Sequence, residues 1–381
     1  MESPAWDEQR LKRERLHRLQ GEMRRLGIGA VYLSDGVNIR YVMNQRIPGG
    51  KAFVLAEGEP IAFVRARDAG YVGQDHENVL PTLYMNTWEP ANEGKMDAFA
   101  QTIARVMAER GLAGERLGVD PLDASAFHAL LRAGLAVVDA RPAIEYAKSI
   151  KTQDELAIYR HIGAKYAATM QTFRDAIRPG ATERELAALV SSTWFENGGE
   201  AITQLNVCSG EHMNPWRRWP TERKLVSGEL VGIDLHAHGP VGLLGDVSRT
   251  FAVSTTTDQQ RDLYRRAFDY LDGVASGFRA GRVIGDVIAT LPPVPDAFRT
   301  ALYNYEVAHP IGMTPSGYPM LKLKDCPFED VLKPNQVYAV ESYFGEKGSP
   351  LAVKAEHMVV VHEGAPEILD QAVVRDDRLR G

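Results

Sequence analysis

The chain has 381 residues, 44% hydrophobic and 25% charged, which is the composition of a globular protein with enough apolar material for buried cores. Its 44 Lys and Arg against 50 Asp and Glu give a net charge of −6, so no basic excess points to nucleic acid as a partner. No apolar run reaches the ~20 residues that span a bilayer, and the N-terminus lacks the apolar segment of a secretory signal. We therefore expect a cytoplasmic protein without membrane contact.

The first 147 residues predict an α/β domain. Apolar residues recur at helical spacing between residues 7 and 26, which is typical of an amphipathic surface helix. Short β-rich stretches and two further helical stretches follow, separated by Gly, Pro and Asp. The strands are expected at 30–33, 41–43, 52–55, 61–64, 117–120 and 137–139, and the helices at 96–110 and 123–133.

Residues 148–381 predict a second domain of α+β type. A long helix is expected from Thr152 to Ile177, and another opens at Thr182, where Glu185 completes a capping box. Strands are then expected on both sides of a helix near residues 258–280. They lie at 229–234, 243–253, 336–341 and 357–361.

Acidic residues interrupt these apolar strands. Asp234 ends the run Val231-Gly232-Ile233, where a charge is costly unless a positive group lies beside it. A single buried carboxylate is most often paired with Arg or a backbone amide, but here several occur together with one imidazole. The set is Asp234, Asp246, His309, Glu341 and Glu356. Four carboxylates and one histidine suit a pair of divalent cations, which activate a water, stabilise an oxyanion or polarise a substrate carboxylate. Two cysteines, Cys208 and Cys326, are too few for a thiolate site.

The order Asp, Asp, His, Glu, Glu resembles the metal ligands of the creatinase, prolidase and methionine aminopeptidase superfamily. The segments Ser149-Ile150-Lys151, 178–186 and Ser248-Arg249-Thr250-Phe251 support the resemblance, which runs from about residue 10 to 370. It implies a creatinase-like N-terminal α/β domain over 1–147 and a pita-bread catalytic domain over 148–381. It further implies a homodimer and two divalent ions on the five residues named above, with Fe, Mn and Zn all open.

Two positions depart from the peptidases of this superfamily. Those peptidases usually carry a histidine eight residues after the Ser of a Ser-Gly turn, and another seven residues beyond the metal-binding histidine. Counting from Ser209 and His309 places Arg217 and Ser316 there. Neither side chain exchanges a proton near neutral pH as imidazole does. Amide hydrolysis by the usual route is not expected, although His212 is placed to substitute.

Other features of the sequence resemble one branch of the superfamily in particular, the metal-dependent dimethylsulfoniopropionate lyases. The shared features are Asn214-Pro215-Trp216 after the Ser-Gly turn, a spacing between Asp234 and Asp246 that is one residue longer than usual, and Gly239 in that loop. The match is incomplete, since His236 and Pro315 stand where that branch has a third Asp and a proposed basic Asp.

Three residues are candidates for catalysis. On a strand, His236 shares a face with Asp234, so it is predicted to be a sixth ligand or a proton-transfer group, with an exposed loop histidine as the alternative. His212 and Tyr343 are the other two candidates. Trp216 and Arg217 are predicted to bind substrate, the ring by cation–π contact with an onium group, with core packing or a dimer contact as the alternatives. Tyr41 and Trp88 are first-domain aromatics that we also assign to substrate binding.

The sequence is therefore compatible with three functions. The first is a metal-dependent, non-peptidase enzyme that cleaves a C–S bond of a small carboxylate by β-elimination. The second is a Xaa-Pro dipeptidase or aminopeptidase that acts on short peptides. The third is a non-catalytic binding protein, which the retention of all five ligand types argues against.

Overall fold

The computed structural model describes residues 6–74, 76, 78–81, 93–217, 219–299, 306–315 and 317–380. The chain forms two compact units. One is Asp7–Lys148, and the other begins at Ser149 and also contains Trp6. Among the described residues, no helix is both long and apolar enough to cross a membrane.

The N-terminal unit is an α/β sheet domain with mixed strand directions. The helices are α1 (Glu8–Leu26), α2 (Gly36–Met43), α3 (Ala69–Val72), α4 (Glu93–Glu109), α5 (Ala124–Arg132) and α6 (Arg141–Ser149). The strands are β1 (Ala30–Leu33), β2 (Lys51–Leu55), β3 (Ile61–Val64), β4 (Val79–Pro81), β5 (Arg116–Val119) and β6 (Ala136–Asp139). The strands lie in the order β4-β3-β2-β1-β5-β6, in which β1 runs antiparallel to β2 and parallel to β5.

The predicted strand at 41–43 is wrong, because these residues close helix α2. The Asp35 side chain accepts hydrogen bonds from the amides of Val37 and Asn38 and so caps the helix at its start. Asn44 ends it in the left-handed conformation, at φ 52°. The three β-prone residues are buried by this helix instead, so local capping and packing outweigh their strand propensity.

The second unit combines long helices with two antiparallel sheets, and the predicted order of an α/β and then an α+β domain is confirmed. Its helices are α7 (Gln153–Ala176), α8 (Glu183–Glu196), α9 (Asp258–Ser276), α10 (Ile284–Ala289) and α11 (Asp377–Arg380). Its strands are β7 (Ala201–Ser209), β8 (Leu230–His238), β9 (Leu244–Ala252), β10 (Glu306–Pro310), β11 (Leu321–Lys322), β12 (Val337–Gly345), β13 (Ala352–Val360) and β14 (Glu367–Ile368).

Capping boxes fix where helices α7 and α8 of this unit begin. Thr182 and Glu185 form the predicted box at the start of α8, and Thr152 and Glu155 form an equivalent one at α7. In each box a hydroxyl and a carboxylate satisfy amides that have no partner within the helix. The predicted helices over 152–177 and from 182 onward are confirmed.

The two sheets of the second unit meet along β9 and β13. One sheet has the order β7-β8-β9, and the other has the order β11-β10-β12-β13-β14. The Thr250 hydroxyl donates to the Lys354 carbonyl at 2.8 Å and accepts from the Lys354 amide at 3.0 Å. A side chain thus replaces the backbone ladder at the junction, which brings the inner faces of β8, β9, β12 and β13 together.

A buried ion network supports this junction. Asp370 is fully buried and accepts hydrogen bonds from the Arg249 guanidinium at 2.5 Å and from the Met358 amide at 2.8 Å, and its Oδ2 lies 2.8 Å from His357 Nδ1. Arg249 also donates to the Glu356 carbonyl at 2.6 Å. Burial works to raise the pKa of Asp370, but His357 and Arg249 outweigh burial and hold the pKa at about 2.

We expect Asp370→Asn to lower the free energy of unfolding by about 3–5 kcal/mol at neutral pH, because it leaves the buried Arg249 charge uncompensated. The depressed pKa makes this contribution complete above the ordinary pKa of Asp, near 4, and it is lost as the pH falls toward 2. Urea denaturation at several pH values measures both effects. Asp262→Asn, which removes an exposed carboxylate paired with Arg266 on α9, is the control. An equal loss of stability in both variants contradicts the prediction.

Candidate metal centre

One part of the candidate site lies on β8 and β9. Asp234 and His236 are two residues apart on β8 and so project from the same face, and Asp246 on β9 is directly opposite His236 in the register. His236 Nε2 lies 3.3 Å from Asp234 Oδ1 and 3.2 Å from Asp246 Oδ1. These three side chains form a cluster with one donor atom each within 4.8 Å of the others, a spacing that can hold a metal ion.

The second part of the site lies on β10, β12 and β13. Glu341 and Glu356 are directly opposite each other across the β12–β13 pair, where like charges destabilise a sheet unless something neutralises them. His309 on β10 joins the two parts, since its Nε2 lies 3.4 Å from Asp246 Oδ2 and 3.5 Å from Glu341 Oε1. The structure thus brings all five residues predicted as ligands into one cluster.

Several buried oxygens of this cluster lack hydrogen bonds. Within the described part of the chain, Asp234 Oδ1, both oxygens of Asp246, Glu341 Oε2 and Glu356 Oε2 have no hydrogen-bond partner. Buried carboxylate oxygens without donors cost free energy unless a cation coordinates them. Oxygen atoms from four carboxylates with imidazole nitrogen are the ligands that divalent transition metals take, so the residues present fit a metal centre.

Lys354 is a charged residue of the cluster that the sequence analysis did not predict. This buried side chain on β13 places its ammonium nitrogen 3.4 Å from both Asp234 Oδ2 and Glu341 Oε2, and it also contacts Glu356. It also donates to the Ser248 hydroxyl at 2.9 Å. Lys354 precedes Glu356 by two residues and so lies on the same face of β13. This spacing is the feature of the sequence that could have identified Lys354 as part of the cluster. Its charge offsets one of the four negative charges in the cluster.

The electrostatics of the cluster follow from these contacts. Burial works to raise the pKa of Asp234, but Lys354 and His236 outweigh it and leave the pKa well below its ordinary value. Burial works in the opposite direction on His309, and its contacts with Asp246 and Glu341 raise its pKa to about 10. Without another cation, His309 therefore holds a proton that a metal ion would have to displace.

His212 lies in the loop that follows β7, bound to the fully buried carboxylate of Glu183. Its Nδ1 lies 3.0 Å from Glu183 Oε1, and its Nε2 lies 3.4 Å from the Arg217 guanidinium. Glu183 also accepts hydrogen bonds from the backbone amides and hydroxyls of Ser209 and Thr221. A carboxylate that binds Nδ1 orients the ring and leaves Nε2 to exchange protons.

The loop that carries Arg217 is held against the sheet. Arg217 is exposed, whereas Trp216 is buried with its ring edge-on to Tyr343 and 5.9 Å from the Lys354 ammonium. The Tyr343 hydroxyl donates to the Met213 carbonyl at 2.8 Å and lies 3.0 Å from Asn214 Oδ1. Trp216 and Tyr343 therefore position the loop in this structure, and their roles in substrate binding and catalysis remain predictions.

The other predicted residues lie elsewhere. Tyr41 is buried in the N-terminal unit, where its hydroxyl donates to the Ala147 carbonyl at 2.9 Å. Pro315 is exposed in the loop after β10. Trp88 and Ser316 lie outside the described residues. The predicted involvement of Tyr41 and Trp88 in substrate binding stays a prediction.

Comparison with known families agrees with this fold and site. Residues 157–363 match metallopeptidase family M24, and residues 15–150 match the creatinase/prolidase N-terminal domain. The chain belongs to metallopeptidase family M24. This membership supports an enzyme, either a lyase or a hydrolase, and the predicted family is confirmed.

Individual relatives of this M24 protein carry different activities. It is 23% identical to the dimethylsulfoniopropionate lyase DddP of Roseovarius nubinhibens, over 95% of this chain and 86% of that protein. It is 24% identical to the uncharacterized peptidase YqhT of Bacillus subtilis, over 93% of this chain and 96% of that protein. The Xaa-Pro dipeptidase from Bacillus anthracis shares the fold, with a TM-score of 0.79 at 19% identity over 94% and 98% of the two chains.

We expect Asp246→Asn to abolish tight metal binding while the chain remains folded, because Asp246 lies between His236 and His309 at the centre of the cluster. Metal content after dialysis, measured by mass spectrometry, and the far-ultraviolet circular dichroism spectrum check the two parts. Asp269→Asn, on helix α9, serves as the control. Unchanged metal content in the Asp246 variant would show that the cluster is not the metal centre.

Lys354→Met should destabilise the metal-free protein and increase the stabilisation produced by added metal, because three carboxylates lose a cation that a bound metal ion then replaces. The difference in melting temperature with and without metal measures this. Lys354→Arg keeps the charge and should resemble the wild type. If Met and Arg variants gain equally from metal, the Lys354 charge is not coupled to the site.

Proposed function

We propose that this M24 protein is a dinuclear-metal-dependent enzyme that eliminates a leaving group from a small carboxylate, most similar to dimethylsulfoniopropionate lyase. The observation that carries the proposal is Arg217 at the position of a peptidase histidine, with its guanidinium beside His212. A permanently charged guanidinium binds a carboxylate through paired hydrogen bonds and exchanges no proton near neutral pH. Such a residue suits anchoring an acid more than hydrolysing an amide.

The five residues Asp234, Asp246, His309, Glu341 and Glu356 would hold the two ions. When bound, the ions polarise the substrate carboxylate and so acidify the adjacent C–H bond. The metal identity is open among Fe, Mn and Zn, since all three accept carboxylate and imidazole ligands.

His212 is the base in this proposal. Glu183 holds its Nδ1, as the orienting acid holds the base in other catalytic pairs, and Nε2 is left to take the α-proton. The C–H electron pair then forms the C=C bond, the C–S bond breaks, and the sulfide leaves as a neutral molecule. Pro315 stands where the lyases resembled by the sequence have a proposed basic Asp, so the base must come from another residue.

Hydrolysis of Xaa-Pro peptides is the second candidate. The similarity to the uncharacterized peptidase YqhT and the same Glu183–His212 pair favour hydrolysis of a peptide. In that case His212 replaces the histidines missing at positions 217 and 316. A non-catalytic role finds no support, because the cluster keeps every carboxylate that the family uses.

The deciding experiment is a turnover assay by mass spectrometry. The protein, reconstituted separately with Mn, Fe and Zn, is offered dimethylsulfoniopropionate and Xaa-Pro dipeptides. We expect acrylate and no proline. Proline release without acrylate would overturn the proposal in favour of the peptidase.

Arg217→Ala should lower kcat/KM for the productive carboxylate about 10- to 100-fold, the range for loss of a charge-assisted hydrogen bond of ~1.5–3 kcal/mol. Arg184→Ala, which removes an exposed arginine paired with Glu222, is the matched control. Equal activity of the two variants would remove Arg217 from the site.

A further inference from the structure

His236 occupies a place in the cluster that the five-residue ligand set does not use. Its Nε2 lies between Asp234 and Asp246, within 3.3 Å of an oxygen of each, and its side chain is only 13% exposed. The Asp246 oxygen that faces it accepts no hydrogen bond from any described residue. An imidazole nitrogen and unsatisfied buried oxygens thus converge on one point.

Neighbouring residues on β7 and β8 keep His236 in this orientation. The Gln204 amide lies opposite His236 in the register, and its Nε2 is 3.1 Å from His236 Nε2 and 3.4 Å from Asp234 Oδ2. The Gln204 side-chain amide therefore contacts both the His236 ring and the Asp234 carboxylate, which fixes the ring where its Nε2 faces the two aspartates.

His238 provides an internal comparison. It lies two residues further along β8, on the same face of the strand, but its Nδ1 is 3.0 Å from the Gly242 carbonyl in the following turn. His238 therefore belongs to the turn and His236 to the cluster, although the two share a strand and a residue type.

We infer that His236 is a sixth metal ligand and sets the metal preference of the position formed with Asp234 and Asp246. This inference rests on the proposed metal centre. A position built from carboxylates alone suits Mn, whereas an added imidazole favours Zn and Fe. The metal position formed with Asp234 and Asp246 consequently prefers Zn or Fe, which bind imidazole nitrogen well. The metal position at His309 has the same preference.

Competition between metals tests this preference. Metal-free wild type, His236→Asp, His236→Gln and the control His238→Gln are dialysed against equal concentrations of Zn and Mn, and bound metals are counted by mass spectrometry. The Asp variant replaces nitrogen by oxygen at the same place. We expect its bound Zn:Mn ratio to fall at least tenfold from that of wild type, with His238→Gln unchanged.

Nuclear magnetic resonance of protein with ¹⁵N-labelled histidine gives a second readout. Zinc should shift the imidazole nitrogen resonances of two histidines, His236 and His309, in wild type and in His238→Gln. In His236→Gln it should shift those of one.

The possible outcomes distinguish a failure of the sixth-ligand inference from a failure of the proposed function. An unchanged Zn:Mn ratio in His236→Asp, together with two zinc-shifted histidines in His236→Gln, overturns the inference. If in addition the pH profile of turnover moves in His236→Gln, the residue transfers protons instead. Wild type that binds no metal overturns the inference and the proposed centre together. A lowered ratio with neither acrylate nor proline formed supports the ligand role and refutes only the proposed reaction.

Discussion

Mutual repulsion among four clustered carboxylates is the constraint on which the rest of this structure depends. Asp234, Asp246 and Glu356 are buried, and the Glu341 side chain is 14% exposed. Glu341 and Glu356 are direct neighbours across a ladder. Burial and like charge both oppose ionisation of such groups. A fold that keeps them there must supply positive charge, and the chain itself supplies Lys354.

The surrounding framework is rigid where the ligands require it. Thr250 joins β9 to β13 in place of a backbone ladder, and Arg249, from the adjacent position, connects the Glu356 carbonyl to the buried Asp370. Metal ligands on strands held by such contacts keep their separation before any ion binds. This arrangement lowers the cost of assembling a site, because little conformational freedom is lost on binding.

The loop after β7 carries the residues on which the proposed reaction depends. Glu183 collects hydrogen bonds from Ser209 and Thr221 and holds His212, which in turn meets Arg217. A histidine with a fixed carboxylate partner beside an arginine combines proton transfer with anion binding. This combination, on an otherwise common fold, is the reason that we favour elimination on a small acid over amide hydrolysis.

Many of the helices and the candidate carboxylate ligands could be predicted from local sequence patterns. Periodicity and capping residues indicate the helices at 152–177 and from 182 onward, and the four candidate carboxylate ligands are recognisable as charges in otherwise strand-like stretches. These signals are readable because helical spacing, capping chemistry and the cost of burying a charge depend on neighbours in the sequence. Residues 41–43 show the limit of propensity, since the Asp35 cap and burial convert a β-prone triplet into the end of a helix.

The remaining features required the tertiary structure. In the sequence, Lys354 resembles other lysines near strands. The β12–β13 register and the junction with β9 place its ammonium group against three carboxylates. His236 and His238 are indistinguishable by spacing, and only the turn at Gly242 and the position of Asp246 assign them to different environments. The sequence by itself determined the family, the order of the two domains and the candidate ligands, since each depends on local chemistry. Which charges meet was decided by pairing between strands far apart in the chain, because Coulomb interactions depend on distance in space.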